Sequence, residues 1–407
     1  MASTFRETTL DNGLRIAAEV DPDAHTAALG FFVKTGARDE TPALMGVSHF
    51  LEHMMFKGTT QRTAAQVDLD FDSIGANHNA FTTNEMTAFW AHCLPERLPE
   101  AEEVLSDILR PALRPQDFDD ERSVILEEIA MYEDQPFWVL FERAMEAYFE
   151  THPLSHRVLG TPETIKAMRA DQMTEYFRSR YSADNTILAM AGRLDFDAMV
   201  ERVATHCGGW ERTGVVRGYP SFPAPRPDLT ITSDQVNRHY LLMLAPGPAL
   251  RDERRYAASL LMQVLGDTDG SRLYWALVDP GLAEEAQAQL DGRDDCGNYF
   301  VFASCSPEHA ETVERITLET MDGLVDSITD DDLERVRSRV ATAATLHGEL
   351  PAGRMRRLGR VLTYLEEYRS LEDELARIDA VRLEDLRAVA ASFPPRPALT
   401  ARLTPKT

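Results

Sequence analysis

The segment GVSHFLEHMMFKGT, residues 46–59, places two histidines and a glutamate within five residues of an otherwise apolar run. On a helix, His49, Glu52 and His53 stand at i, i+3 and i+4 and share one face. Val47, Phe50, Leu51 and Met54 form a separate apolar stripe that can face a core. Two imidazoles one turn apart suit a tetrahedral Zn2+. Glu52, between them, would stand beside the open coordination position and act as general base toward an attacking water. The alternative is a pair of ordinary histidines on a solvated face. A second pair shows that spacing alone decides little: HPLSH also sets His152 and His156 four apart. It carries Pro153 after the first histidine and no acid between, and it reads as a loop.

A third ligand comes from DDERSVILEEIAMY. On a helix, Glu121, Val124, Ile125, Glu128, Met131 and Tyr132 fall on one side. Glu128 therefore lies in an apolar stripe, where a carboxylate is costly unless paired or bound to metal. Glu127 points away and reads as solvated. Glu121, two turns before Glu128, could orient a ligand or pair with a neighbouring arginine.

Outward from this site, LRIAAEV and TAALGFFVKTG read as strands bounded by turn residues, and NAFTTNEMTAFWAHCL alternates like a strand. Helical patterns run over 98–109, 117–132 and 137–149, and NTILAMAGRL is a further strand. Residues 213–227, TGVVRGYPSFPAPRP, hold prolines at 220, 223, 225 and 227 and read as an extended linker between domains at 1–212 and 228–407. Strand, polar loop and helix then recur, and long helices run to the end. This order predicts a duplicated α+β domain.

At 407 residues the chain suits two domains of about 200 residues each. Its 42 basic and 67 acidic residues give a net charge of −25. Binding to nucleic acid by phosphate neutralisation is therefore excluded as an expectation, and cationic peptides are weakly favoured. The four cysteines, Cys93, Cys207, Cys296 and Cys305, lack CxxC spacing and suit a reducing compartment. No signal-peptide pattern and no membrane-length apolar run stand out, so a cytoplasmic location is expected. Acids alternate from Asp68, but without the glycine and final glutamate of a calcium loop. GDTDGSRL lacks a phosphate-loop lysine.

Taken together, LDNGLRI, VKTGARDE…GVSHFLEHMMFKGT, NAFTTNEMT, ERSVILEEI, HPLSHRVLGTPETI and NTILAMAGRL resemble the inverzincins. These are the pitrilysin, insulysin and mitochondrial processing peptidase family, here nearest its bacterial processing-peptidase-like branch. The resemblance covers nearly the whole chain. It implies Zn2+ ligands at His49, His53 and Glu128, a general base at Glu52 and a supporting carboxylate at Glu121. It also implies two similar α+β domains, each an antiparallel sheet with helices packed on it. Asn79, Ala80 and Phe81 would lie on the strand that pairs with an extended peptide substrate.

The sequence departs from the family in its second half. Many active relatives place an Arg and a Tyr, in a segment like LRE…GLAY, against the substrate. Here SRLYWALVDPGLAEEAQA has Val278 and Glu284 at those places, with Arg272 and Tyr274 as remaining candidates. An ionised glutamate would oppose a developing oxyanion. The expectation is a zinc-bearing endopeptidase subunit that acts on extended peptides. It would pair with a homologous subunit lacking HxxEH and supplying the Arg and Tyr, although two copies of this chain could also pair. The rival reading is a non-catalytic assembly subunit of the same fold. A hydrolase of small molecules needs neither two domains nor a pairing strand.

Overall fold

The computed structural model describes residues 3–223 and 227–406; Pro225 of the linker lies outside them. Two compact units form. The first comprises residues to Ile129, His156–Gly218 and Leu346–Arg369, and the second comprises Ala130–Ser155, Tyr219–Thr345 and the chain from Ser370.

The first unit holds six strands: β1 (Thr4–Thr9), β2 (Arg15–Val20), β3 (Ala27–Val33), β4 (Asn77–Thr82), β5 (Thr87–Cys93) and β6 (Thr186–Gly192). They lie in the order β1-β2-β6-β3-β5-β4. The second unit holds β7 (Asp228–Ser233), β8 (His239–Gly247), β9 (Glu285–Gly292), β10 (Gly297–Cys305) and β11 (Leu399–Pro405), in the order β7-β11-β8-β10-β9. The second order reproduces β2-β6-β3-β5-β4 strand for strand. The repeat expected from the sequence is thus present in the topology.

The sheets are mixed, which corrects the expectation of purely antiparallel ones. β6 pairs parallel with β2 and antiparallel with β3; β11 pairs parallel with β7 and antiparallel with β8. The reason is geometric. In each unit the last strand returns after a long helical excursion and inserts between two strands that run oppositely, so it must be parallel to one of them.

The boundaries also differ from two contiguous domains. β3 is buried at all seven positions, so both faces of its sheet need covering. Leu29, Phe31 and Val33 face a core shared with the Val47–Met55 and Leu98–Ile108 helices. Gly30 and Phe32 face the Pro351–Leu365 helix, which comes from the second half of the sequence. A Cβ on Gly359 of that helix would lie 2.2 Å from the Phe32 ring, so only glycine permits this approach. In the second unit, the Pro136–Phe149 helix, from the first half, covers Leu242, Leu244, Phe300 and Phe302. Each sheet is thus roofed by a helix borrowed from the other half of the sequence.

Two local differences matter for the site. NAFTTNEMTAFWAHCL is a hairpin rather than one strand: Thr83 Oγ1 accepts from the N–H groups of Glu85 and Met86 and turns the chain between β4 and β5. The C-terminal stretch ends in β11 rather than in helix.

Candidate metal centre

HFLEH lies within the Val47–Met55 helix. Val47, Phe50, Leu51 and Met54 are fully buried in the core, so the opposite side of the helix presents His49, Glu52 and His53. Glu128 stands on the Pro115–Glu133 helix. Its Oε2 lies 3.7 Å from His49 Nε2 and 3.5 Å from His53 Nε2. The two imidazole rings meet edge to face at 4.7 Å. His49, His53 and Glu128 each offer one ligand atom, all within 4.8 Å of one another. Ligands at Zn–N distances of 2.0–2.1 Å in a tetrahedron stand about 3.3 Å apart. The observed spacing and the two-imidazole, one-carboxylate set therefore fit one such cation.

Glu128 does not occupy the buried stripe that its spacing suggested. The buried side of its helix is Phe118, Glu121, Ile125 and Ile129, while Val124 and Met131 are exposed. The carboxylate inside the stripe is Glu121. Its Oε1 lies 2.8 Å from His53 Nδ1 and its Oε2 lies 2.5 Å from Lys57 Nζ. The cation beside Glu121 is thus a lysine, not an arginine. An ionised Glu121 accepts from Nδ1–H, which leaves the His53 Nε2 lone pair toward Glu128. Burial works against the Glu121 anion, but the His53 and Lys57 bonds outweigh it and hold Glu121 below its ordinary value. Burial likewise opposes a charged His53, but Glu121, Glu128 and Glu52 together raise it. His49 is pushed down to about 3 by burial and by its neighbour His53. The ring is thus neutral, and a neutral imidazole has one nitrogen free of a proton, as a ligand requires.

Glu52 is half-buried. Thr82 Oγ1, at the end of β4, donates to Glu52 Oε2 at 2.6 Å. Burial raises the Glu52 carboxyl, partly offset by the Thr82 bond and by His53, while Glu128 adds to the rise. A raised carboxyl suits a group that must take up and return a proton. Asn79, Ala80 and Phe81 lie on β4, which is the edge of its sheet: β5 flanks one side and no described strand flanks the other.

The HPLSH histidines serve the fold. His156 is buried with Nδ1 3.0 Å from the Ala37 carbonyl oxygen, and Pro153–Ser155 is a short turn. In the second unit, Val278 ends a π-helical turn, Tyr274–Val278, and packs against the core. Glu284 pairs with Arg238. Arg272 is engaged by Asp332 and by the Ser327 carbonyl. Sequence reasoning missed Thr82 and Lys57. The signals were available: Thr82 follows the alternation of β4, and Lys57 stands one turn beyond His53.

A family model described as insulinase (peptidase family M16) matches residues 15–162, and one described as the peptidase M16 inactive domain matches 167–340. An uncharacterized zinc protease of Streptomyces coelicolor is 34% identical over 400 residues, covering 95% of this chain and 86% of that protein. The chain belongs to peptidase family M16. This M16 chain is also 30% identical over 385 residues to an uncharacterized zinc protease of Bacillus subtilis, covering 94% of each. Among solved structures, a protease from Helicobacter pylori superposes with a TM-score of 0.91 at 20% identity over the whole of both chains. A putative M16-like peptidase from Alicyclobacillus acidocaldarius gives 0.86 at 21%, covering 100% of this chain and 99% of that one. At these identities the structural likeness speaks for the fold. No helix among the described residues is long and apolar enough to cross a membrane.

Proposed function

We propose that this chain is a zinc-dependent endopeptidase subunit that hydrolyses extended peptides. The observation that carries the proposal is the convergence of His49, His53 and Glu128 beside Glu52. His49, His53 and Glu128 would hold Zn2+, the metal named for the M16 relatives. When bound there, Zn2+ supplies Lewis acidity. Glu121 orients His53 through Nδ1. Thr82 holds Glu52 Oε2, so the other carboxylate oxygen is left to take the proton of the attacking water and return it to the leaving amine. The free edge of β4 at Asn79, Ala80 and Phe81 would add the substrate as a further strand. A cytoplasmic location accords with the free thiols of Cys93, Cys207, Cys296 and Cys305.

The second unit offers no arginine in the segment 273–284, and an ionised glutamate, such as Glu284 at the place where the family's Tyr is expected, would oppose a developing oxyanion rather than donate to it. We therefore assign the missing Arg and Tyr to a homologous partner without HxxEH. The Val278 and Glu284 departures also support a second reading, a non-catalytic subunit of the same fold. To decide, the purified chain with Zn2+ is assayed on unstructured peptides, alone and with candidate partners. Turnover that appears only with a partner, binds Zn2+ normally in Glu52→Gln and is lost in that variant supports the peptidase subunit. Strong turnover by the lone monomer refutes the partner requirement. Retained turnover in Glu52→Gln refutes the role of Glu52.

A further inference from the structure

The helix that carries HFLEH begins without a cap of its own. Gly46, its N-cap, has φ +94° and no side chain to offer. A Cβ there would stand 2.7 Å from the Leu159 carbonyl oxygen and 2.9 Å from Gly160 Cα. No larger residue can take its place. The first N–H groups of a helix have no acceptor within it. Here a single carboxylate from the preceding loop receives two. Glu40 Oε2 accepts from the Gly46 N–H and Oε1 from the Ser48 N–H, each at 2.7 Å. The Ser48 hydroxyl is tied to the Tyr176 hydroxyl at 2.8 Å, which lies 2.8 Å from Thr35 Oγ1. Ser48 immediately precedes His49, so the backbone is gripped one residue before the first imidazole.

We propose that Glu40 is a positioning residue for the metal centre: its carboxylate clamps the Gly46 and Ser48 N–H groups and sets the start and rotation of the helix bearing His49, Glu52 and His53. The inference rests on the metallopeptidase reading above. The helix has nine residues, too short to hold its own direction by propensity. A rotation of about 10–20° is enough to spoil a ligand set. The clamp is held against cost. Burial pushes Glu40 up to about 8, opposed by the Ser48 and Gly46 N–H bonds and the Ser48 hydroxyl, with the Asp39 charge adding to the rise. The other groups facing Glu40 are the buried hydroxyls of Tyr176 and Tyr181; Asp39 is itself paired with Arg217 and Arg180.

In Glu40→Gln, the amide oxygen can accept one N–H, but the amide nitrogen turns its hydrogens toward the other. The full chain and this variant are compared at pH 9 and pH 6.5 by Zn2+ competition with a chromophoric chelator. Hydrogen exchange of residues 46–55 in the metal-free protein and the thermal midpoint are measured alongside. At pH 9 the Zn2+ Kd should rise about 10–100-fold, the range for groups that orient ligands. Exchange of 46–55 should quicken, and the thermal midpoint should not fall. At pH 6.5 the wild-type carboxyl carries a proton, which weakens its hold on one of the two N–H groups, so the gap should narrow. With an active partner complex, kcat falls and KM holds. Unchanged affinity and exchange at pH 9 overturn the proposal. So does a loss of affinity equal at both pH values and accompanied by a lowered midpoint, which marks a merely structural residue. Should Glu40→Gln fail to fold, Glu40→Asp keeps the charge but reaches one N–H, and the same readings apply. Wild type that binds Zn2+ without cleaving any peptide sinks the peptidase reading and leaves this test intact. Wild type that binds no Zn2+ sinks the metal reading, and exchange of 46–55 alone then decides for or against the clamp.

Discussion

Replacing Glu121 with Gln isolates the part of the centre that the metal would never touch. Glu121 is buried, and its two oxygens are divided between His53 Nδ1 at 2.8 Å and Lys57 Nζ at 2.5 Å. Gln keeps the shape and removes the charge. If its oxygen stays on Nδ1–H, its amide hydrogens face the Lys57 ammonium. If it flips to satisfy Lys57, its hydrogens face Nδ1, and His53 must move its proton to Nε2, the nitrogen turned toward Glu128. Either way the nitrogen proposed to ligate is compromised. A charge-assisted hydrogen bond contributes about 1.5–3 kcal/mol, and loss of a ligand-orienting partner weakens metal binding about 10–100-fold. These agree, because a tenfold change in Kd is about 1.4 kcal/mol. Chelator competition should therefore give a Zn2+ Kd raised by one to two orders of magnitude. Nitrogen chemical shifts of the metal-free protein should show a larger share of the Nε2–H tautomer at His53. Lys57→Met, which leaves Glu121 ionised on His53, should cost less than tenfold. A Glu121→Gln variant with Kd within twofold of wild type would show that the Glu121–His53 contact does not set the ligand.

Other outcomes follow from the same geometry. Thr82→Val removes the donor to Glu52 Oε2 and should lower kcat about tenfold with Zn2+ content unchanged; an unaltered kcat would remove Thr82 from the mechanism. In the metal-free protein His49 is held neutral down to about 3, against 6.5 ordinarily. Its contribution to stability is thus complete above pH 6.5 and lost as the pH falls toward 3, by up to about 1.4 kcal/mol per unit. Between pH 6.5 and 5, urea denaturation should show about 2 kcal/mol more loss in wild type than in His49→Gln, whereas an identical pH slope in that variant counts against the assignment. Gly359→Ala drives a methyl to 2.2 Å from the Phe32 ring and should destabilise by about 1–3 kcal/mol despite the better helix propensity of alanine. A raised thermal midpoint would mean the helix can step back from the sheet.

What the sequence disclosed about this protein tracks the range over which each interaction acts. The placement of His49, Glu52 and His53 on one face follows from 3.6-residue periodicity within a single turn, and the structure holds them so. The duplication was legible because each half repeats the order of its strands and helices. The parallel pairings of β6 and β11 and the exchange of the 136–149 and 351–365 helices were not. They depend on which distant segment covers the second face of a sheet, and no local spacing records that. β3 carried a trace of it, as a continuous apolar run implying burial on both faces.

Glu128 and Glu121 show how a sound principle can attach to the wrong residue. A carboxylate inside a buried stripe does demand a partner, but the buried stripe of the Pro115–Glu133 helix runs through Glu121, not Glu128. Helical periodicity puts Glu121 and Glu128 on one side without fixing where that side meets the core, and the exposed Val124 and Met131 drew the apolar stripe too far toward Glu128. The residue that must be paired is the one gripping His53 and Lys57. The Glu128 side chain is 28% exposed, so its charge is not stranded in the core when no cation is bound. On the proposed reading the costly carboxylate takes the orienting role and the accessible one the ligand role. On this division, Glu128→Gln should weaken Zn2+ binding while leaving the metal-free fold as stable as wild type, whereas Glu121→Gln should disturb both. Equal effects of the two substitutions on metal-free stability would mean that burial does not separate the two roles.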